Sequence, residues 1–218
     1  MENVIELKNN LDENVILWIS DAIKINKKTE ISVPMNHKAI AIINEKIAFR
    51  VEPCDCQNVI NMFDKTLNNQ KVKFVYTKST ALPQMAWGFG NVQVNNERLK
   101  EAYRVGINGK YIVEIVDIVK LLKNFSSTNE VTIDDIREKT ISIVKTNGIP
   151  VLSKCFANTN ISVFEIDSKL QEIREDIKTA LLKEEIFKSY GLRLVELTVE
   201  GIHVNEEDLQ IIRERLNG

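Results

Sequence analysis

The apolar residues of this 218-residue chain change their period near its middle, and this change constrains the fold more than any other feature. In the first half they occur in short runs or alternate with polar residues, which is typical of β-strands. From Ile118 onward they recur three and four residues apart, as in amphipathic helices. The chain is therefore predicted to be an α+β protein, with a twisted antiparallel sheet first and helices packed on it afterwards.

Turn signals and alternation mark the predicted strands of the first half. Asn44-Glu45-Lys46 predicts a hairpin turn between two of them. Trp87-Gly88-Phe89-Gly90 has no third glycine and no helix start after it, so it is predicted to be a sharp turn rather than a nucleotide-binding loop. The predicted strands are Val15–Ile19, Ile31–Pro34, His37–Ile43, Ile47–Val51, Val72–Tyr76 and Gly109–Val116.

Helix signals follow in the second half. After a first helix over 118–125, Thr132-x-x-Asp135 predicts the start of a second helix. Gly148-Ile149-Pro150 is expected to interrupt that helix, which continues after a kink. Ser168-x-x-Gln171 has the capping-box pattern and predicts the start of a long helix. Gly191 is predicted to follow the end of that helix, where a positive φ suits glycine.

The C-terminal segment combines a strand and a helix. Leu192–Val204 is predicted to be a closing strand, and Asn205 is a suitable cap for a last helix. Leu209, Ile212 and Leu216 follow at the spacing of a coiled-coil seam. This seam is expected either to contact another copy or partner, or to pack back on the domain.

Charge and composition exclude several classes of protein. The net charge is −2 and no strongly basic stripe is present, which argues against nucleic-acid binding. The N-terminus is acidic and lacks an apolar run, so no signal peptide is predicted. No run in the sequence approaches the roughly 18 apolar residues that a membrane span requires, so no span is predicted either. Without a secretory signal, Cys54, Cys56 and Cys155 are expected to be reduced thiols.

Catalytic and metal-binding patterns are also missing from the sequence. Cys54-Asp55-Cys56 is the most metal-like cluster, but a closed zinc site needs four ligands and usually a longer spacing. The other candidates, His37, His203 and Cys155, are far apart, so Cys54 and Cys56 are predicted to be unliganded thiols in a loop. Two histidines leave few ways to build imidazole catalysis. No catalytic, cofactor-binding or metal-binding residues are therefore predicted, and the chain is not expected to be an enzyme.

Three segments in the same order resemble one known family. Val15–Ile40 contains a Trp-bearing strand followed by an apolar strand and a turn, and Gly109–Asp117 is an alternating strand that ends in Asp. Tyr190–Glu207 contains a Tyr-Gly turn, a closing strand and an Asn-Glu-Glu helix start. Together they resemble the SPFH or band-7 superfamily of stomatins, prohibitins and flotillins, and most closely its soluble bacterial "virion core protein-like" branch.

The resemblance implies a domain organisation. Residues 1–14 would be an N-terminal extension and residues 15–204 the SPFH domain. Within that domain, 15–117 would be the β-rich part and 118–204 the helical part with its closing strand. Residues 205–218 would begin a C-terminal helix, the first part of a coiled coil in a trimmed chain or the whole helix of a short natural member.

The resemblance also implies a function. It predicts a cytoplasmic, non-enzymatic scaffold that forms homo-oligomers, organises stress-response or proteolytic partner proteins at the inner face of the membrane, and makes peripheral membrane contact. Leu209, Ile212 and Leu216 are the predicted contact residues, and no cofactor is implied. Two alternatives stay open, namely a phage or virion structural protein of the same fold and a small-molecule-binding or hydrolytic domain.

Overall fold

The computed structural model describes residues 3–6, 13–63, 65–125, 129–157, 162–182 and 185–217. The strands are β1 (Asn3–Ile5), β2 (Val15–Ile19), β3 (Ile23–Lys24), β4 (Thr29–Val33), β5 (His37–Ile43), β6 (Lys46–Val51), β7 (Cys54–Asn58), β8 (Lys71–Lys78), β9 (Met85–Asn96), β10 (Glu101–Ile115), β11 (Glu130–Thr132) and β12 (Leu192–Val204). The helices are α1 (Val59–Met62), α2 (Ile118–Phe125), α3 (Ile133–Ala157), α4 (Ile166–Leu182), α5 (Ile186–Ser189) and α6 (Glu206–Asn217).

Strands and helices confirm the predicted α+β class. The chain divides into two compact units, of which the first comprises Met1–Ala81 with Glu114–Ile136. The second comprises Leu82–Val113 with Arg137–Gly218. Each unit has its own sheet and its own buried residues, and each is described separately below.

The first unit is built from two sheets. The larger has the strand order β11-β2-β8-β5-β6, with β3 also paired to β8, and the smaller has the order β1-β4-β7. The pairings within these sheets are antiparallel except β1 with β4, which is parallel. Buried residues from both sheets form one apolar cluster, which includes Ile5, Ile31, Val33, Ala41, Phe74 and Tyr76.

Alternation along β8 assigns its side chains to opposite faces of the larger sheet. Val72 and Phe74 are fully buried in the apolar cluster, whereas Lys71 and Lys73 are exposed. The predicted hairpin turn between β5 and β6 is confirmed, because Asn44 (φ 49°) and Glu45 (φ 63°) both adopt the left-handed conformation of a two-residue hairpin.

The second unit is built around β10, which lies between β9 and β12 in a three-stranded sheet. Alternate residues of β10 are buried, and two of them contact α3 directly. The Tyr111 hydroxyl is hydrogen-bonded to Thr140 Oγ1, and the Tyr103 ring packs edge-on against Phe156, with 6.3 Å between ring centroids. The helices α4 and α5 contact β12, so the predicted packing of helices on a sheet is confirmed.

Gly109 has no Cβ atom, which allows the three strands of this sheet to approach closely. A Cβ atom at Gly109 would lie 1.9 Å from the Thr198 carbonyl oxygen, far inside van der Waals contact. The Trp87 indole N–H donates to that same oxygen at 3.2 Å. Thr198 Oγ1 in turn bonds both the backbone N–H and the carbonyl of Lys110, each at 3.2 Å. Glycine is therefore required at this position of the strand.

The predicted turn at Trp87-Gly88-Phe89-Gly90 is wrong, because these residues lie inside β9. Their glycines accommodate a β-bulge instead. Val105 pairs with Val92 and Ile107 with Phe89, so two residues of β9 lie opposite Gly106. Asn91 adopts the positive φ of 57° at this bulge. The Cys54-Asp55-Cys56 cluster was likewise expected in a loop but forms the start of β7.

Two predicted helix boundaries also need correction. The helix expected to begin at Ser168 begins at Ile166, after a 3-10 turn whose capping box is made by Ser162 and Glu165. Ser168 instead donates its hydroxyl to the Glu165 carbonyl at 2.6 Å. The expected interruption of α3 is wrong too, but the expected continuation beyond Pro150 is confirmed, because one helix runs through this residue to Ala157.

Other helix signals are confirmed. Thr132 and Asp135 cap α3 reciprocally, since Asp135 N–H donates to Thr132 Oγ1 at 3.2 Å and Thr132 N–H donates to the Asp135 carboxylate at 2.7 Å. Gly191 has the predicted positive φ, 78°. The long helix expected before it consists of two helical segments, α4 and α5.

Candidate functional site

The C-terminal helix α6 is the candidate site, because the sequence singled out its apolar residues. It begins as predicted, with Asn205 Oδ1 accepting a hydrogen bond from Asp208 N–H at 3.3 Å. Glu206, Glu207 and Asp208 occupy its first turn, where the helix dipole favours negative charge.

Arg104 of β10 anchors the start of α6 within the second unit. Its Nε donates to Asp208 Oδ2 at 2.9 Å, and its Nη2 donates to Asp208 Oδ1, also at 2.9 Å. The same Nη2 reaches Asn205 Oδ1 at 3.0 Å and Glu207 Oε2 at 3.1 Å. The backbone adds two further bonds, from Arg104 N–H to Asp208 at 2.7 Å and from Asn205 N–H to the Arg104 carbonyl at 2.9 Å.

This forked geometry explains why the pKa values of Asp208 and Arg104 are both shifted. The hydrogen bonds from Arg104 hold the pKa of Asp208 below its usual value, because they stabilise the ionised carboxylate. The reciprocal bonds raise the pKa of Arg104 further. The group remains an ion pair throughout the physiological range, and it fixes the direction in which α6 leaves the sheet.

Beyond its first turn, α6 has two covered apolar residues and two exposed ones. Ile212 is 4% exposed and Leu209 is half-buried, so both are covered by other parts of the chain. Leu216 is 68% exposed and Ile211 is 48% exposed. The predicted seam of Leu209, Ile212 and Leu216 is therefore divided, with only Leu216 fully accessible to another molecule.

The thiols that looked most like metal ligands do not converge. Cys54 Sγ points at the Ile31 carbonyl at 3.8 Å, and burial raises the pKa of this thiol. Cys56 is exposed on the same strand. Among the described residues, no group of three or more His, Cys, Asp or Glu side chains is placed to hold a metal ion.

The two histidines lie in different units and have separate polar partners. His37 Nδ1 lies 2.7 Å from Asn36 Oδ1, and burial together with the nearby Lys78 lowers its pKa. His203 Nε2 lies 3.1 Å from Asn108 Oδ1 across the sheet of the second unit. Neither histidine has a described carboxylate or nucleophile bonded to it.

A small cleft of about 110 Å³ opens in the first unit, and some of its charged lining groups already have structural roles. Lys78 Nζ donates to the Glu13 carbonyl at 2.7 Å. Asp117 Oδ1 caps α2 by accepting from two backbone N–H groups, at 3.0 and 3.1 Å. The remaining charged lining residues are Lys38, Arg50 and Glu52. This set contains no pair of nucleophile and base.

Arg104 was not predicted from the sequence, although the cap and start of the helix that it binds were. The signal available was a single arginine at a partly buried position of a long alternating strand. Sequence alone could not indicate which of the strands would lie beside the first turn of α6.

The comparisons with known proteins agree with the fold. The model of the SPFH domain-Band 7 family matches residues 63–217, which is most of the chain. The chain therefore belongs to this family, and the resemblance inferred from the three segments is confirmed at the level of the family. Proteins of the family are generally scaffold-like, and they typically oligomerise and associate with membranes. No curated protein matches the chain.

None of the helices within the described ranges is long and apolar enough to cross a membrane.

Proposed function

We propose that this chain is a non-enzymatic SPFH scaffold, which forms homo-oligomers and organises partner proteins at or near the inner face of the membrane. Family membership over residues 63–217 supports the scaffold role. In this proposal residues 15–204 act as the SPFH domain, and 205–218 act as the start of its C-terminal helix. The protein works in the cytoplasm, peripheral to the membrane.

The observation that carries self-association is the exposure of two large apolar residues of α6 beyond its first turn. Leu216 and Ile211 are the two exposed large apolar residues of this helix, and the Arg104 anchor holds the helix in a fixed direction. A rigidly held helix loses little conformational freedom when it binds, so its apolar side chains contribute more of their burial to affinity. Leu216 would form the contact, as the exposed end of the helix face on which Leu209 and Ile212 are covered. Ile211 is a second exposed apolar side chain, about 140° around the helix from Leu216.

Light scattering coupled to size exclusion tests this contact. We expect the unchanged chain to elute as an oligomer and a Leu216→Asp/Ile211→Asp double variant to elute as a monomer with an unchanged circular dichroism spectrum. Leu99→Asp is the control, because Leu99 is an exposed leucine of the same unit outside α6. A monomer for the unchanged chain at all concentrations would disprove self-association through this helix.

Ile212→Asp is unsuitable for this test, since Ile212 is buried and a buried carboxylate would destabilise the fold itself.

Membrane contact is proposed to occur through a protein partner. Trp18, the most obvious candidate for direct insertion, is half-buried and lies against Tyr76, with 5.7 Å between ring centroids. Flotation with liposomes containing phosphatidylserine should leave the purified chain at the bottom of the gradient. Recovery in the floating fraction would show direct lipid binding instead.

A further inference from the structure

The first unit has an open groove on the outer face of its larger sheet, next to α2. The groove has a volume of about 810 Å³ and is lined by one edge of α2, the tip of the β5–β6 hairpin and the ends of β2 and β8. Its large apolar residues are partly exposed to solvent, and Ile47 is the most exposed of them at 38%. These apolar residues are Ile19, Ile42, Ile47, Val119 and Leu122.

Three lysines border this apolar groove. Alternation along β8 places Lys71 and Lys73 on the face opposite the apolar cluster, and Lys123 lies at the groove edge of α2. Within the described part of the chain, none of the three ammonium groups has a hydrogen bond or an ion pair. Glu45 is the one carboxylate in the lining. The groove therefore has a net positive rim that the unit itself does not neutralise.

Strand pairing brings the apolar and positive groups into one row. Ile47 pairs with Ile42, and Ile42 pairs with Lys73, across three neighbouring strands. A ligand lying along this row would meet two branched aliphatic side chains and then an ammonium group. This order matches an amphipathic segment that has apolar residues on one side and carboxylates along its edge.

We propose that this groove binds an acidic amphipathic segment of a partner protein. The concave shape favours a linear segment over a membrane, because a bilayer is contacted best by apolar residues that protrude. Charge complementarity selects a segment rich in Asp and Glu, and the apolar floor supplies the affinity. This inference deepens the proposed scaffold function by naming the chemistry of a recruited partner, and it is separate from self-association through α6.

The groove is not a consequence of family membership alone. The family match begins at residue 63, whereas Ile19, Ile42 and Ile47 precede it. The site is thus built partly from residues that the family model does not cover.

Two labelled synthetic peptides test the proposal by fluorescence anisotropy. Both carry leucines at helical spacing, and their remaining positions are Glu in one peptide and Lys in the other. We expect the Glu peptide to bind the unchanged chain, with an affinity that falls as salt is added, and the Lys peptide to bind at least about tenfold more weakly. Lack of binding by the Glu peptide would overturn the proposal.

A charge reversal makes the test specific. The Lys71→Glu/Lys73→Glu variant should bind the Glu peptide at least about tenfold more weakly and should bind the Lys peptide better than the unchanged chain does. Lys27→Glu/Lys28→Glu is the matched control, since it makes the same change of charge on an exposed turn outside the groove. Equal losses in both double variants would show that only net charge matters, and this would overturn the groove as the site.

Two further variants test whether the apolar floor contributes to binding and whether the groove acts independently of α6. Ile47→Asp should weaken both peptides, because it places a carboxylate on the apolar floor at an exposed position. Leu216→Asp/Ile211→Asp should leave peptide binding unchanged even where it abolishes oligomers, so the two proposals can fail independently. Binding to phosphatidylserine vesicles that depends on Lys71 and Lys73, without binding to the Glu peptide, would assign the surface to lipid and overturn the proposal.

Discussion

The two compact units use their positive charges in opposite ways. In the second unit, Arg104 makes a forked contact with Asp208, and Lys110 Nζ lies 2.7 Å from Glu200 Oε1. In the first unit, Lys71, Lys73 and Lys123 surround an apolar groove and have no anionic partner in the described part of the chain. Arg104 and Lys110 thus hold strands and a helix of the second unit together, whereas the three groove lysines of the first unit are presented to solvent.

This difference separates residues that determine stability from residues that are available for binding. A substitution that disturbs polar or close contacts in the second unit should change the free energy of unfolding. A substitution on the groove of the first unit should change binding and leave that free energy almost unchanged. The following predictions test this separation, from the largest expected effect on stability to the smallest.

Gly109→Ala should destabilise the protein by about 3 kcal/mol or more, because the added methyl group would overlap the Thr198 carbonyl and force two strands apart. Gly90→Ala is the control, since a Cβ atom there meets nothing within 4 Å, and its effect should stay within about 1 kcal/mol. Urea unfolding monitored by circular dichroism measures both. Similar small effects for the two variants would contradict the close approach of β10 and β12.

Tyr103→Phe and Tyr111→Phe should change stability in opposite directions. The Tyr103 hydroxyl is buried and has no described hydrogen-bond partner, and burial with the nearby Glu101 raises its pKa to about 12. Its removal should stabilise the protein by about 1 kcal/mol. Thr140 donates its own hydroxyl to the Arg137 carbonyl at 3.1 Å, so Tyr111 is the donor to Thr140.

Loss of the Tyr111 hydroxyl should therefore destabilise the protein by about 1 kcal/mol. The two variants are compared by their urea midpoints under one set of conditions. Destabilisation by both would show that the Tyr103 hydroxyl has a partner after all.

Asp208→Asn should remove a stabilising contribution that depends on pH. Arg104 lowers the pKa of Asp208 in the folded protein, so this contribution is complete above the usual value of 3.8 and is lost as the pH falls through the lowered value. The urea midpoints of the variant and the unchanged chain should therefore differ near neutral pH and converge in strong acid. A difference that persists in acid would show that Asp208 acts through packing and not through its charge.

Lys71→Glu/Lys73→Glu should change the free energy of unfolding by less than about 0.5 kcal/mol, because both side chains are exposed and unpaired. Differential scanning calorimetry alongside Lys27→Glu/Lys28→Glu measures the difference. A large loss of stability would mean that the groove lysines have an internal structural role, and the contrast between the two units would disappear.

Predictions from sequence patterns were wrong where a contact between distant segments determines the role of a residue. The glycines of Trp87-Gly88-Phe89-Gly90 predicted a turn, because glycine is common in turns. In the structure, Gly90 lies at a bulge beside Gly106, and Gly88 passes the strand at Asn108, where a Cβ atom would come within 3.2 Å. Only the pairing of two long strands shows that Gly88 permits a close approach, that Gly90 lies at a bulge, and that neither glycine reverses the chain.

Capping signals were ambiguous for a related reason. Ser168-x-x-Gln171 and Ser162-x-x-Glu165 both fit a capping box, and propensity alone cannot select between them. Ser162 Oγ also bonds the Glu101 carboxylate at 3.0 Å, which ties it to the start of β10. This long-range contact helps to place the cap at Ser162, and Ser168 then lies inside the helix.

The helix-breaking signal at Pro150 was also misleading. Proline removes one backbone N–H and usually ends or bends a helix, so an interruption of α3 was predicted. The helix nevertheless continues, with Leu152 and Phe156 fully buried beyond the proline. Burial of these side chains is of the size needed to offset the lost hydrogen bond.

Local sequence patterns were sufficient to predict the α+β class, most strand positions, the cap of α6 at Asn205 and the family. These follow from local periodicity and capping chemistry, which depend on neighbours along the chain. The tertiary structure decided which apolar residues of α6 stay exposed, where Arg104 acts and how Lys71, Lys73 and Lys123 meet one groove. Those outcomes depend on which strands and helices become neighbours in space, because burial and charge pairing are properties of contacts between distant segments.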